Sequence, residues 1–280
     1  MIGRVWAVAL NTFREAVRDR ILYLLLVVGV VAVAFSKFLG DISVGDRLHV
    51  IVDTGLTAVS LLGVMISVFV GTGLIHKEID KRTVYTILSK PVRRGEFILG
   101  KYLGLLLTIT VCMGVLSLGF LIYYQAVAGL EEFRPGDEQS SSMLFAIHGG
   151  RITLPLLTAL LFCFVEVCVI TAVAVMFSSA STPILSAVLT SVIFAAGRLC
   201  AWIPRFIEYL GARGDATTAK VFVLQTLYYI TPNLEALDLR DHAANLHTLP
   251  PDVFWRLLYA ASYSAIMLLV AALIFRRRRF

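Results

Sequence analysis

GTGLIHKEIDKRTVYTILSKPVRRGEFILGKYLG, residues 71–104, lies between two long apolar runs and carries seven cations, Lys77, Lys81, Arg82, Lys90, Arg93, Arg94 and Lys101, with three acids, Glu78, Asp80 and Glu96. Such a concentration of positive charge between hydrophobic segments marks a cytoplasmic loop of a multi-span membrane protein. The loop has internal order. Ile79, Thr83, Val84, Ile87 and Leu88 recur at helical spacing, and Pro91 stops that helix near Ser89. A short amphipathic helix on the cytoplasmic face offers a docking surface for a partner.

The composition agrees. The chain has 280 residues, 58% of them hydrophobic, and a mean hydropathy of +0.83, too apolar for a soluble domain of this size. Six apolar runs approach the roughly 20 residues that cross a bilayer. They lie at about 21–38, 56–75, 98–125, 154–177, 184–203 and 257–275. The fold expected is an all-α membrane protein with six transmembrane helices in a single transmembrane domain, 1–280.

Charge sets the orientation. With the N-terminus inside, the inner segments hold 15 of the 25 cations, namely Arg4, Arg14, Arg18, Arg20, the seven above and Arg276 to Arg279, against five acids. The longer outer segments hold the other 10 cations with 13 acids. The bias places both termini and residues 77–95 in the cytoplasm of a multi-pass protein of the bacterial inner membrane. The basicity is a topology signal, and nucleic acid is not an expected partner. No cleavage site follows the first apolar run, which reads as an anchor rather than a removed signal.

Residues 1–20 read as an interfacial helix. Ile2, Trp6, Ala9, Leu10, Phe13 and Val17 form an apolar stripe opposite Arg4, Asn11, Glu15 and Arg18. Outer loops are expected at 39–54 and 129–152, and an outer segment at 204–255. Within the last, Val221–Ile230 is too short to span and too apolar for free solvent, which suggests a re-entrant or interfacial helix before the last span. Trp202, Trp255, Tyr123 and Tyr124 fall at predicted outer boundaries and read as an aromatic belt facing membrane lipids. The inner turn SSASTP, 178–183, is short enough to make the fourth and fifth spans an antiparallel hairpin.

No catalytic constellation is present. The chain has no GxxxxGK[ST] phosphate loop, no HExxH and no GxSxG elbow. His76, His148, His242 and His247 have no metal-site spacing. Cys112, Cys163, Cys168 and Cys200 lie in apolar spans, without metal spacing or an outer-loop disulfide pair. No catalytic residue, metal or cofactor is expected, and the chain does not read as an enzyme. Glu166 is the one acid in mid-membrane, where an ionisable group is costly and suggests a function. Arg198, across the short hairpin, is its candidate partner: the helical rise places the two within roughly 6 Å in depth. A structural ion pair and a place on the substrate path are both open.

The order of parts resembles the permease subunit of ABC exporters of the type-2 permease class. The residues that carry the likeness are Glu78 and Arg82-Thr83, then Leu88-Ser89-Lys90-Pro91-Val92-Arg93-Arg94, then Glu96 to Lys101. They are similar to the branch associated with multicopper-enzyme maturation. The resemblance implies a coupling helix at Asp80–Ser89, with Glu78, Arg82, Thr83, Ile87, Leu88, Pro91 and Arg94 docking a separate cytoplasmic ABC ATPase. It also implies a second permease copy. The function expected is export of an unidentified substrate, driven by ATP hydrolysis on the partner chain. A non-transport scaffold for assembly factors and a proton-coupled carrier working through Glu166 are the alternatives.

Overall fold

The computed structural model describes residues 2–42, 47–80, 94–132, 153–213, 218–244 and 250–277. These residues are helical with no strand. The helices are α1 (Ile2–Val17), α2 (Arg20–Ile42), α3 (Arg47–Asp80), α4 (Arg94–Glu132), α5 (Leu154–Ala180), α6 (Pro183–Leu199), α7 (Trp202–Ala212), α8 (Thr218–Ile230), α9 (Arg240–Ala244) and α10 (Val253–Arg277), with a 3-10 turn at Glu235–Leu237. Among the described residues five helices are long and apolar enough to cross a membrane, or six if the bent pair α6–α7 is counted as one span. The protein is an all-α, multi-pass membrane protein.

Two helices make the centre. In their apolar stretches α3 is 72% and α5 67% buried, whereas α2 is 29% and α10 17% buried. Both central helices are apolar all round, as membrane spans are, and other helices cover most but not all of their faces. They run parallel and in register. Ser67 Oγ and Thr171 Oγ1 lie 2.9 Å apart. One end of this row is closed by Ser178 Oγ donating to the Thr72 carbonyl at 3.2 Å, the other by Ser60 Oγ donating to Glu166 at 2.9 Å. Small polar groups thus tie α3 to α5 where lipid-like surroundings supply no other partner.

Chain breaks follow local chemistry. Asp19 separates α1 from α2, its side chain accepting from the Ile21 N–H at 3.1 Å. Ser181 and Thr182 turn α5 into α6, with Pro183 at the first helical position. The fifth span expected to reach 203 instead stops at Leu199 and bends by 66° into α7. Pro204 explains the stop: it has no N–H for the Cys200 carbonyl, and its ring would clash there if the helix continued.

Two further expectations change. The loop expected at 39–54 is largely helical, because α2 runs to Ile42 and α3 starts at Arg47. Ile51, Val52, Leu56 and Val59 are all buried and form one stripe into the core, so nothing breaks the helix there. Tyr124 does not join the aromatic belt. It is buried beside Phe120 with ring centroids 6.4 Å apart, while Trp202 and Trp255 are exposed.

Helix α1 packs along α4. Its buried face is Ala9, Thr12 and Ala16, flanked by Val5 and Val8, while Trp6 is exposed. Gly100 and Gly104 make this possible. A Cβ at Gly104 would stand 2.5 Å from the Ala9 carbonyl oxygen, and one at Gly100 would stand 2.7 Å from Val8. Beside them Lys101, fully buried, lies 3.9 Å from Glu15 of α1.

Candidate functional site

We call the end of the bundle that carries residues 77–101 the basic end, and the opposite one the far end. The chain after α8 does not leave the far end. Residues 231–244 turn into the bundle, burying Leu234, Leu237, Leu239 and Ala243. The 3-10 turn packs on α5 and α6, and α9 packs on α3 and α5. The preceding apolar stretch, Val221–Ile230, forms the body of α8 against α7 and leaves Phe222 and Val223 exposed.

Neutral contacts fix the start of this inserted segment. The Leu234 N–H donates to the Gly197 carbonyl at 3.3 Å, and the Asn233 N–H donates to the Tyr259 hydroxyl at 2.8 Å. Gly197 is needed here, since a Cβ would come within 2.6 Å of the Pro232 carbonyl oxygen. From α10, Arg256 donates to the Ala236 carbonyl at 2.7 Å. The same guanidinium bonds Asp252 at 3.0 Å and holds that carboxyl below the usual carboxylate range.

Four charges meet beneath the segment. Glu166 of α5 has a side chain only 4% exposed. Arg198 of α6 reaches both its oxygens, at 2.8 Å to Oε1 and 2.9 Å to Oε2. The other guanidinium nitrogen of Arg198 donates to Asp238, and its plane lies over the Phe194 ring at 5.9 Å. Arg240 lies 3.5 Å from Glu166 Oε2 and 3.5 Å from Asp238 Oδ1, and donates to Thr57 Oγ1 at 3.0 Å. Two arginines thus face two carboxylates, with the hydroxyls of Ser60 and Thr57 at the edge. In low-dielectric surroundings such groups persist only when each charge is paired and hydrogen-bonded.

The sequence singles out Glu166 and Arg198, and the structure brings them into direct contact. It does not point to Asp238, Arg240, Ser60 or Thr57. The available signal was the run NLEALDLRD, 233–241, in which three leucines are interleaved with charges. Read linearly, that is an amphipathic surface piece. Of the docking residues, Arg82, Thr83, Ile87, Leu88 and Pro91 lie outside the described residues, as does most of the Asp80–Ser89 helix. Glu78 falls in the last turn of α3 and Arg94 begins α4, with their side chains outside the described set. Among the described residues no cluster of His, Cys, Asp and Glu is arranged to hold a metal, and all four cysteines are free thiols.

A polytopic helical bundle with parallel central helices and a buried charge cluster defines a multi-pass integral membrane protein. Residues 6–200 match the ABC-2 family transporter proteins, and the chain belongs to that family. It is the membrane permease component of an ABC transporter. The matched stretch runs from α1 to just past α6, so it includes Glu166 and Arg198 but not Asp238 or Arg240. No curated protein matches the chain.

Proposed function

We propose that this chain is the membrane subunit of an ATP-driven exporter whose nucleotide sites reside on a separate cytoplasmic ABC ATPase. The observation that carries the reading is mechanical. Helices α3 and α4 run unbroken for 34 and 39 residues between the 77–95 loop and the core. A push on that loop would move the helix that holds Thr57 and Ser60. Glu96 in the first turn of α4 suits the positive end of the helix dipole. The basic end is then cytoplasmic, both termini included, in a bacterial inner membrane, and the 77–95 loop carries the coupling helix. Within its family the chain is assigned to the branch associated with multicopper-enzyme maturation, on the run Leu88 to Lys101.

A second copy of the chain completes the transporter. An open apolar groove of about 670 Å³ between α3 and α6 supports this, lined by Phe69, Gly73, Ile184, Ala187, Val188 and Ser191. Ala187, Ser191 and Ala195 recur every fourth residue on α6, the spacing that lets helix backbones approach in a membrane. The proton-coupled alternative finds less support, because Glu166 is engaged by Arg198, Arg240 and Ser60 together.

The test is capture of the ATPase. Ile87→Asp or Leu88→Asp should leave the permease inserted and weaken capture roughly 30-fold, the effect of losing an interface anchor worth about 2 kcal/mol. Unchanged capture with unchanged transport refutes the docking role. A scaffold would capture assembly factors but no ATPase.

A further inference from the structure

We infer that residues 231–244 are a releasable gate at the far end of the bundle, latched by the contacts that Asp238 and Arg240 make with Arg198, Glu166 and Thr57. The inference rests on the permease reading for its direction, with the far end facing outside.

The segment touches four spans. Asn233 and Leu234 bond α10 and α6 through neutral groups, and Arg256 of α10 holds the Ala236 carbonyl. Beyond that point Asp238 and Arg240 reach three spans, α6 through Arg198, α5 through Glu166 and α3 through Thr57. The far ends of these helices therefore cannot part while the segment stays in place.

The charge arrangement distinguishes a gate from a fixed plug. A permanent plug is as well served by apolar side chains, since replacing buried ion pairs with well-packed apolar groups is often neutral or stabilising. Here the four charges divide into two neutral halves. The bundle half keeps Glu166 with Arg198 at 2.8 Å, and the segment half keeps Asp238 with Arg240 at 3.5 Å. The segment's own pair is further held by the Arg240 N–H, which bonds Asp238 Oδ1 at 3.0 Å. Lifting the segment breaks Arg198–Asp238, Arg240–Glu166 and Arg240–Thr57 and leaves no net charge on either side. The contacts at Gly197 and Tyr259 are neutral and lie at the start of the segment, so they serve as its hinge. In this arrangement α3 both ends at the basic loop and contributes Thr57 to the latch, which links ATPase movement to release.

The experiment uses Ala243→Cys as a probe. Ala243 is 2% exposed and lies on α9, in the part of the segment that lifts. The full-length permease is reconstituted, and labelling by a membrane-impermeant maleimide added from the outer side is timed against the parent chain with its four native cysteines. The probe should label slowly in the resting protein. Adding Asp238→Asn together with Arg240→Gln severs the latch without leaving an unpaired charge, and should speed labelling at least tenfold. Thr57→Val, which removes the single hydrogen bond from the Arg240 guanidinium to α3 without adding or removing a charge, should speed it about threefold and keeps the test decisive should the double substitution fail to fold. In the complex with its ATPase, ATP turnover should accelerate labelling of the otherwise unaltered protein. An unchanged rate in folded latch variants overturns the gate. Acceleration in those variants but none during turnover by a bound, hydrolysing ATPase makes the segment a static cap and overturns it equally. Failure to capture any ATPase counts against the permease–ATPase reading alone, because the latch variants are scored on the permease by itself.

Discussion

Replacing Glu166 by Gln changes few atoms and much electrostatics. One oxygen remains to accept from Ser60 and Arg198, but the new amide NH₂ falls where Oε1 now stands 2.8 Å from Arg198. Two donors then face each other, and the cluster keeps two arginines against Asp238 alone. Removing one partner of a buried pair costs about 3–5 kcal/mol. The low end, about 3 kcal/mol, applies here because Arg198 is 20% exposed and Asp238 still shares the excess charge. Arg198→Gln creates the opposite imbalance, two carboxylates against Arg240, and should cost a similar amount. The double substitution leaves Asp238 with Arg240, a neutral set, and should cost about 3–4 kcal/mol rather than the sum of the singles. The coupling energy is then about 2–3 kcal/mol, within the range of directly contacting residues. It is read from denaturation midpoints of the four proteins in detergent, titrated with SDS and followed by circular dichroism. If the two single effects add within about 0.5 kcal/mol, the pair does not interact and the cluster as described is wrong.

The clasp between α1 and α4 gives a second test: Gly104→Leu drives a side chain into the Ala9 carbonyl and Thr12 and should destabilise the contact by about 1–3 kcal/mol. Limited trypsin cleavage at Arg14 or Arg18 should speed up several-fold, and an unchanged rate would show that α1 is held elsewhere. For topology, Ser89→Cys should resist impermeant thiol reagents in intact cells while Ser141→Cys reacts; labelling at position 89 would invert the orientation. Ala187→Phe fills the groove between α3 and α6 and should shift the purified permease from dimer to monomer on size-exclusion chromatography with light scattering. An unchanged mass would place the contact between copies on another face.

The ABC-2 match stops at residue 200, one residue after α6, and the whole inserted segment, residues 231–244, comes later. The matched stretch therefore contains Glu166 and Arg198, and Asp238 and Arg240 lie beyond it. Comparison of other permeases at the far end should look for complementary charge in the segment before the last span, rather than for these residues by position.

The sequence by itself determined the helical class, the approximate spans and the hairpin of α5 and α6, because apolar run length and a two-residue turn are local properties. The proximity of Glu166 and Arg198 follows from the same locality: a turn fixes where two helices start, and a constant rise fixes how far each residue climbs. Only the tertiary structure decided the rest. Tyr124 turned inward because Phe120 lies beside it, and α1 chose the Ala9–Thr12 face because Gly100 and Gly104 let its backbone approach α4 there. Asp238 and Arg240 entered the charge cluster because Gly197 admits the chain between α6 and α10. Each of these outcomes depends on the shape of a distant surface that no window of sequence contains. A segment of alternating leucines and charges can lie on a membrane or fill a bundle, and the space left among α3, α5, α6 and α10 selected the second.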